Sequence, residues 1–218
     1  MSDTAASPGD WADETEQRVL DQALSLAPRL GWNMGMAKAA AMAAGLNVGE
    51  AQLLLPQGPK DLAALLSRRH DTAALASLSA LDPAALKIRD KIRRGVVARL
   101  DAAAADAEPL RKLAAFLVFP TNLPLAMTLI WESADVLWRW AGDTATDENH
   151  YSKRAILSGI LVSTLAVDMA SGRESALNHL DARIDNVMAF EKWKAGVKPM
   201  NLMAEVAGAL ARMRYGRG

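Results

Sequence analysis

The chain has 218 residues, a length that fits one domain, and 51% of them are hydrophobic, which is enough to bury a substantial core. Lysine and arginine number 25, and aspartate and glutamate also number 25, so no overall positive charge draws the chain to nucleic acid. The absence of cysteine excludes disulfides, thiol nucleophiles and Cys-based zinc or iron–sulfur sites.

The N-terminal stretch predicts no structure of its own. Residues 1–9 are expected to form a disordered lead. Residues 1–17 are acidic and lack the basic and apolar regions of a signal or transit peptide. We therefore expect a cytoplasmic protein.

Residues 10–66 predict a helical head. Apolar residues recur at three- and four-residue spacing up to Gly31, namely Val19, Leu20, Ala23, Leu26, Ala27 and Leu30. A short helix over 36–45, a glycine turn and a second short helix from Val48 then give a helix-turn-helix layout. Asn47 can cap the second helix, and Glu50 completes a capping box. This opening resembles the DNA-binding head of the TetR regulators over about residues 18–66, with a larger all-α body behind it.

The charge of this head argues against DNA binding. The second helix, residues 48–55, contains no lysine or arginine. Residues 11–60 hold four bases and five acids, which leaves a net charge of −1. Phosphate contacts supply most of the affinity for DNA, so we expect no DNA binding.

The next segments predict helices without any strand. A helix is expected over about 61–80, and Asp82-Pro83 is a strong start for the next one, which carries Ile88, Ile92, Val96 and Leu100 inward. The basic run Lys87, Arg89, Lys91, Arg93 and Arg94 is interpreted as a solvated face.

Residues 113–131 contain no charged side chain and are long enough to cross a membrane. Pro120 and Pro124 interrupt this stretch, however, so we expect two short buried helices joined by a bend. The excess of apolar residues fits either an ordinary core or a pocket for a long apolar ligand.

The stretch from Trp131 to Lys194 contains W-R-W-A-G-D, then T-D-E-N-H-Y-S-K-R-A-I-L, and later D-A-R-I-D-N-V-M. These motifs resemble the signature of the Coq-nine family, the lipid-binding accessory proteins of ubiquinone biosynthesis. The resemblance implies a TetR-like fold and a lipid-binding body over residues 67–195. It also turns the apolar segment into a candidate lipid site, made of Leu113, Phe116, Leu117, Phe119, Pro120, Leu123, Leu125, Met127 and Trp131.

The start of the helix expected over about 147–170 is the second candidate. The resemblance implies a patch that meets a membrane-bound quinone hydroxylase, and the candidate residues are Asp143, Asp147, His150, Tyr151, Lys153 and Arg154. Family members often carry a tryptophan before the tyrosine, whereas this chain has His150. A well-capped surface helix is the alternative interpretation.

Residues 199–218 predict an amphipathic C-terminal helix. Its apolar face consists of Met200, Met203, Val206, Leu210 and Met213. From Glu191 onward six bases and two acids give a net charge of +4. Such a helix can lie on an anionic membrane, or it can dock on the protein or on a second copy.

No catalytic or metal site is predicted. None of the three histidines belongs to an E-x-x-H or H-E-x-x-H pattern, and no nucleophile has a base beside it. We therefore expect a non-enzymatic, cofactor-free protein that binds an isoprenoid quinone intermediate or another lipid at the inner membrane, presents it to the hydroxylase and forms a homodimer through its last body helices. The alternatives are an assembly adaptor without lipid and a ligand-sensing TetR-type regulator.

Overall fold

A computed structural model describes the backbone of residues 8–144 and 148–196, and the side chains of residues 11–144 and 150–189. The described ranges form α-helices and two short 3₁₀ turns without a strand, which confirms the all-α prediction. The head contains α1 (Pro8–Leu30), α2 (Met34–Ala43), α3 (Val48–Leu54) and α4 (Pro59–Leu78). The body continues with α5 (Ile88–Ala104), α6 (Ala107–Leu117), α7 (Leu123–Trp140), α8 (Glu148–Ser171) and α9 (Arg173–Gly196).

The head folds much as its sequence pattern predicts. Gly31 ends α1 with φ +75, a conformation that glycine adopts without steric cost. Asn47 and Glu50 form the expected capping box, with Glu50 N donating to Asn47 Oδ1 at 3.0 Å. The apolar face of α1 is buried except at its end, where Leu30 is 42% exposed. This order of helices is consistent with a TetR-like fold.

Helix α4 links two apolar cores. Leu62 and Leu66 belong to a first core, which is built with α1 and α2 and also includes Leu113 of α6 and Leu129 of α7. Ala74 and Leu78 belong to a second core, formed with α5, α7, α8 and α9. The expected boundary between residues 66 and 67 therefore lies within one continuous helix.

Helix α5 differs from the prediction in two ways. Asp82 and Pro83 start a 3₁₀ turn (Pro83–Ala85) rather than the helix, which begins at Ile88, and this end position leaves Ile88 41% exposed. The interpretation of the basic run as a solvated face is also wrong for two of its members. Arg93 Nε donates to Asp181 Oδ1 at 2.7 Å, and Arg89 pairs with Asp185. Arg89 and Arg93 thus face the acidic side of α9, whereas Lys91 Nζ donates to the Ala141 carbonyl at 2.9 Å.

The predicted bend between the two apolar helices is confirmed. A 3₁₀ turn over Pro120–Asn122 separates α6 from α7, and the two sides are bent by 101°. The expectation of two short buried helices is wrong for α7, which has 18 residues and exposes part of its apolar surface.

Helices α8 and α9 form an antiparallel pair around Gly172, which has φ +84. Within the described residues, the stretch His150–Ser171 is long and apolar enough to cross a membrane, and α6 with α7 passes that test only as a bent pair. A core helix of a folded domain passes the same test of length and composition. The predicted amphipathic helix over residues 199–218 lies outside the described residues.

Candidate lipid- and partner-binding surface

A buried arginine organises the junction between α7 and α8. The Arg154 side chain is only 2% exposed. Its Nε donates to Asp135 Oδ1 at 2.7 Å, and its Nη1 donates to Asp143 Oδ2 at 2.7 Å. The second oxygen of Asp143 accepts from Lys153 Nζ at 2.6 Å. A charged group can be buried when it is paired and hydrogen-bonded in this way.

The backbone at the end of α7 brings these groups together. Gly142 has φ +86, and the backbone N–H of Asp143 donates to the Trp138 carbonyl at 3.0 Å. The Trp138 indole in turn donates to the Lys153 carbonyl at 3.0 Å, and Lys153 Nζ lies 5.4 Å from the centre of that ring. The first turns of α8 are therefore fixed against the last turn of α7. We call Asp135, Asp143, Lys153 and Arg154 the α7–α8 corner.

The ion pairs shift the titration of the corner. Burial alone would raise the pKa of Asp143, but the hydrogen bonds from Lys153 and Arg154 outweigh it, and the pKa falls below its ordinary 3.8. Burial would lower the pKa of Arg154, but the bonds to Asp143 and Asp135 raise it instead. Both groups thus stay charged over the physiological range.

The corner changes the interpretation of the predicted partner patch. The sequence suggests that Lys153 and Arg154 project from the helix, whereas Arg154 is buried and Lys153 is only partly exposed. The reason is register, because Leu157 and Leu161 lie three and seven residues after Arg154 and share its buried face. The spacing of Arg154 with these two leucines is the sequence feature that could have predicted its burial. Asp147 lies outside the described residues.

The aromatic members of the patch remain accessible. Tyr151 is 64% exposed, and His150 is half-buried. The Tyr151 ring centre lies 6.2 Å from Trp131 on α7 and 5.2 Å from His150. Tyrosine and tryptophan are the residue types that most often dominate binding energy at interfaces. The exposed Tyr151 ring therefore lies next to the buried ion pairs of the corner.

Trp131 is half-buried, and the other eight predicted lipid residues divide into two sets. Leu113 is buried in the first core, and the half-buried Phe116, Leu117 and Leu125 pack against that core. Phe119, Leu123 and Met127 are instead 63%, 47% and 64% exposed, and Pro120 is also exposed. Val118, which the prediction omitted, is 69% exposed.

Asn122 holds the bend that exposes this second set. Its side chain is buried and donates through Nδ2 to the Phe116 carbonyl at 2.9 Å. Its backbone N–H donates to the Phe119 carbonyl at 2.8 Å. The sequence pattern marks Asn122 only as part of a helix break. The structure shows that it satisfies a carbonyl group left free at the end of α6.

The exposed apolar residues and the aromatic group form one surface. Leu123, Met127 and Trp131 are spaced by four residues and so follow one face of α7. Trp131 then contacts Tyr151 of α8. We call Val118, Phe119, Leu123, Met127, Trp131 and Tyr151 the apolar face. Contiguous exposed apolar patches of this kind are typical of lipid, membrane or protein contacts.

A separate apolar cavity lies in the body. Its volume is about 70 Å³, and none of the predicted lipid residues lines it. Its walls come from α5, α7, α8 and α9, with Ile92, Trp138, Ile160 and Ile184 among the lining residues. A long isoprenoid does not fit into this volume without movement of the helices.

Two further polar contacts, an ion pair and a hydrogen bond to a histidine, join the head to the body, and the sequence analysis missed both. Asp71 on α4 accepts from Arg99 Nε at 2.6 Å and from the Ser133 hydroxyl at 3.0 Å. His70 Nε2 lies 2.8 Å from Asp106 Oδ2, which makes Nε2 the protonated nitrogen of a neutral ring. Burial, aided by nearby Arg99, holds the pKa of His70 below its ordinary 6.5.

The surface combines exposed apolar side chains with a corner of paired charges. Among the described residues, no group of three or more His, Asp or Glu side chains could hold a metal ion. The charged groups of the corner are paired with one another rather than directed at an open cleft. The arrangement can hold an apolar molecule and an aromatic contact in a fixed relation.

The comparisons with known proteins point in one direction. Residues 123–191, which include the apolar face of α7 and the corner, match the COQ9 family model. The chain is 30% identical over 190 residues to the Xenopus laevis ubiquinone biosynthesis protein COQ9-B, mitochondrial, covering 81% of this chain and 63% of that protein. It is 27% identical to the Rattus norvegicus protein and 26% identical to the Homo sapiens protein, each named ubiquinone biosynthesis protein COQ9, mitochondrial. Those alignments cover 81% of this chain and 59% and 58% of the relatives. The chain thus spans about three fifths of the length of these relatives, and it contains a COQ9 family domain over residues 123–191.

Proposed function

We propose that this chain is an accessory protein of ubiquinone biosynthesis that binds a polyprenylated quinone intermediate and presents it to a membrane-bound quinone hydroxylase. The names of the relatives support the pathway. The apolar face supports the binding of a lipid. The observation that carries the proposal is the row of Leu123, Met127 and Trp131 on one side of α7, which ends in the contact of Trp131 with Tyr151.

The physical argument concerns the apolar tail of the ligand. A buried CH₂ group contributes roughly 0.8 kcal/mol, so each isoprene unit that leaves water contributes several kcal/mol before ordering costs. Phe119, Leu123 and Met127 offer apolar surface that would otherwise remain in contact with water. A tail lying along them stabilises both partners, because it removes apolar area from water on each side.

The presentation step rests on the position of Tyr151. It lies at the opposite end of the apolar face from Phe119, and the ionic corner holds the first turns of α8 in place. A quinone ring reaching Trp131 and Tyr151 would lie next to the surface that a hydroxylase contacts. Lys153, with its partly exposed ammonium group, supplies a cation at the edge of that contact.

The site of action follows from the substrate. A polyprenylated quinone resides in a bilayer, and the relatives are named as mitochondrial proteins. We propose that the chain works at the surface of the membrane where quinones are made, with residues 199–218 lying on it through Met200, Met203, Val206, Leu210 and Met213. The expectation of a cytoplasmic compartment stays a prediction.

A second copy would bind through α8. Its outer face carries Ala155, Gly159, Val162, Ala166 and Ala170, all exposed and uncharged. Close packing of two such faces would bury this apolar stripe. We expect Val162→Arg to convert a dimer into a monomer in light scattering after size exclusion, and an unchanged mass would exclude α8 as the interface.

Two alternatives remain distinct from the carrier. An assembly adaptor would use the same surface for protein contact and would not hold lipid. A TetR-type regulator would need cations on the second helix of the helix-turn-helix, which is α3, and α3 has none.

The direct test is extraction of lipid from the protein. The chain is purified without detergent from a quinone-producing bacterium, and the solvent extract is analysed by mass spectrometry. We expect prenylated quinone precursors with the natural chain, and their loss with Met127→Asp, because a charge on the apolar face opposes burial of the tail.

Leu53→Asp is the matched control, since Leu53 is 86% exposed on the head and away from the apolar face. This variant should retain the lipid. A lipid-free extract from the natural chain would contradict the carrier and favour the adaptor. Retention of lipid by Met127→Asp would instead exclude the apolar face as the binding site.

A further inference from the structure

The head contains a second concave site, which the quinone proposal does not use. A cleft of about 420 Å³ lies between α2 and α3. Met34 and Met42, which lie near the two ends of α2, both line it, and Met34 lies beside Gly58. Helix α3 is the second helix of the helix-turn-helix, which would enter the major groove if this head bound DNA. Here that helix carries no basic residue.

The small side chains of the head create the space. Ala37 and Ala41 on α2 and Ala51 on α3 line the cleft, and none of them reaches across it. Helix α3 has no fully buried residue, so it stands partly away from the rest of the head. Met34 lies against Gly58, where a Cβ would approach the Met34 sulfur to 2.8 Å. The glycine thus allows the methionine to close one end.

The polar groups of the cleft are few and free of partners. Lys38 and Gln52 are the lining residues with polar side chains. Lys38 is exposed, and among the described residues it makes no ion pair or side-chain hydrogen bond, in contrast to the paired Arg69 and Arg93. An apolar trough with one available cation matches an amphiphile that has one apolar chain and one negative charge.

We propose that this cleft binds a free single-chain carboxylate lipid of the fatty-acid class, with the chain between α2 and α3 and the carboxylate on Lys38. The volume lies toward the lower end of the usual range for ligand sites, which fits one chain rather than two. DNA does not fit this surface, because a single lysine on a head with a net charge of −1 cannot neutralise several phosphates. The methionines at both ends can adjust to the chain, since their side chains are flexible and polarizable.

The test is a fluorescence titration of the full chain with cis-parinaric acid below its critical micelle concentration. We expect saturable binding, displaced by oleate and much less by oleyl alcohol, which has the same chain without the charge. Lys38→Met should weaken parinaric acid binding by about tenfold, because it removes the charge-assisted contact. Lys60→Met is the matched control, since Lys60 lies on the same head but does not line the cleft.

A second variant blocks the chain rather than the charge. Ala51→Phe should reduce binding of parinaric acid without affecting helix content by circular dichroism, because Ala51 is only half-buried.

Met127→Asp, which tests the quinone proposal, should leave the titration unchanged, so the two proposals can fail separately. Equal binding by the natural chain and Lys38→Met would overturn the assignment, as would loss of binding in Met127→Asp alone. Uptake of the protein by phosphatidylglycerol vesicles without binding of monomeric parinaric acid would also overturn it, in favour of a membrane contact.

Discussion

The α7–α8 corner and the α6–α7 bend are neighbours along the chain, and they depart from the expected burial in opposite directions. The corner buries a charged side chain, whereas the bend exposes apolar side chains. At the corner, Arg154 is buried with two carboxylates although charged residues belong at the surface. At the bend, Phe119 and Met127 are exposed although apolar residues belong inside. The contrast shows that composition determines how much apolar surface a segment has, whereas packing determines which part of it meets water.

The two regions also have different physical consequences. The corner fixes geometry, because every charge in it has a partner at hydrogen-bond distance. The bend leaves apolar area open, because Leu125 and Leu129 of α7 pack on the core that holds Leu113, whereas Phe119, Leu123 and Met127 remain exposed. A corner of fixed geometry beside an exposed apolar face is a suitable arrangement for binding a ligand in one orientation.

The largest expected effect follows from removal of the central charge of the corner. Arg154→Met should lower the free energy of unfolding by about 3–5 kcal/mol, because it leaves Asp135 and Asp143 as buried carboxylates without their main partner. Urea denaturation measures the change. Arg139→Met is the control, since the Arg139 side chain is 73% exposed and such a pair contributes only about 0–1 kcal/mol. Equal losses in the two variants would show that the corner is not a stabilising unit.

A smaller effect is expected from Asp143→Asn, about 1–3 kcal/mol of unfolding free energy near neutral pH. The lowered pKa of Asp143 means that its contribution is present above the ordinary pKa of 3.8 and is lost as the pH falls below that value. Denaturation curves should therefore converge for the natural chain and the variant in acid. A difference that persists unchanged well below pH 3.8 would contradict the assignment to the ionised carboxylate.

His70 provides a second test of pH dependence, at a buried group away from the corner. Its pKa is held below 6.5, so the unfolded chain binds the proton more readily, and the unfolding free energy should fall as the pH drops below 6.5. His70→Asn keeps a donor for Asp106 and should flatten this dependence. The measurement is thermal unfolding across that range, and an identical slope in both proteins would exclude His70 as its source.

The smallest effect is expected at the bend. Met127→Ser should change the unfolding free energy by no more than about 0.5 kcal/mol, because the side chain is already in contact with water. Leu137→Ala on the same helix should cost about 2–5 kcal/mol, since Leu137 is buried in the second core. Similar losses at both positions would mean that the apolar face is covered in solution.

The sequence by itself determined the elements and their ends. Local rules govern them, so Gly31, the Asn47–Glu50 capping box and the proline-broken segment each acted where the pattern predicted. The motifs from Trp131 onward also identified the family. Ile88 shows the limit of such rules, because the 3₁₀ turn after Pro83 shifts the start of α5 to that residue.

Only the tertiary structure decided which of the candidate residues meet. Arg154 of α8 binds Asp135 on α7 and Asp143 in the segment after α7. Periodicity within α8 contains no information about those partners. The same holds for Asp71 with Arg99 and Ser133, and for the α9 carboxylates that pair with the basic run of α5. Exposure of Phe119 and Met127 likewise depends on the angle between two helices, and an angle follows from the packing of many side chains rather than from the segment itself.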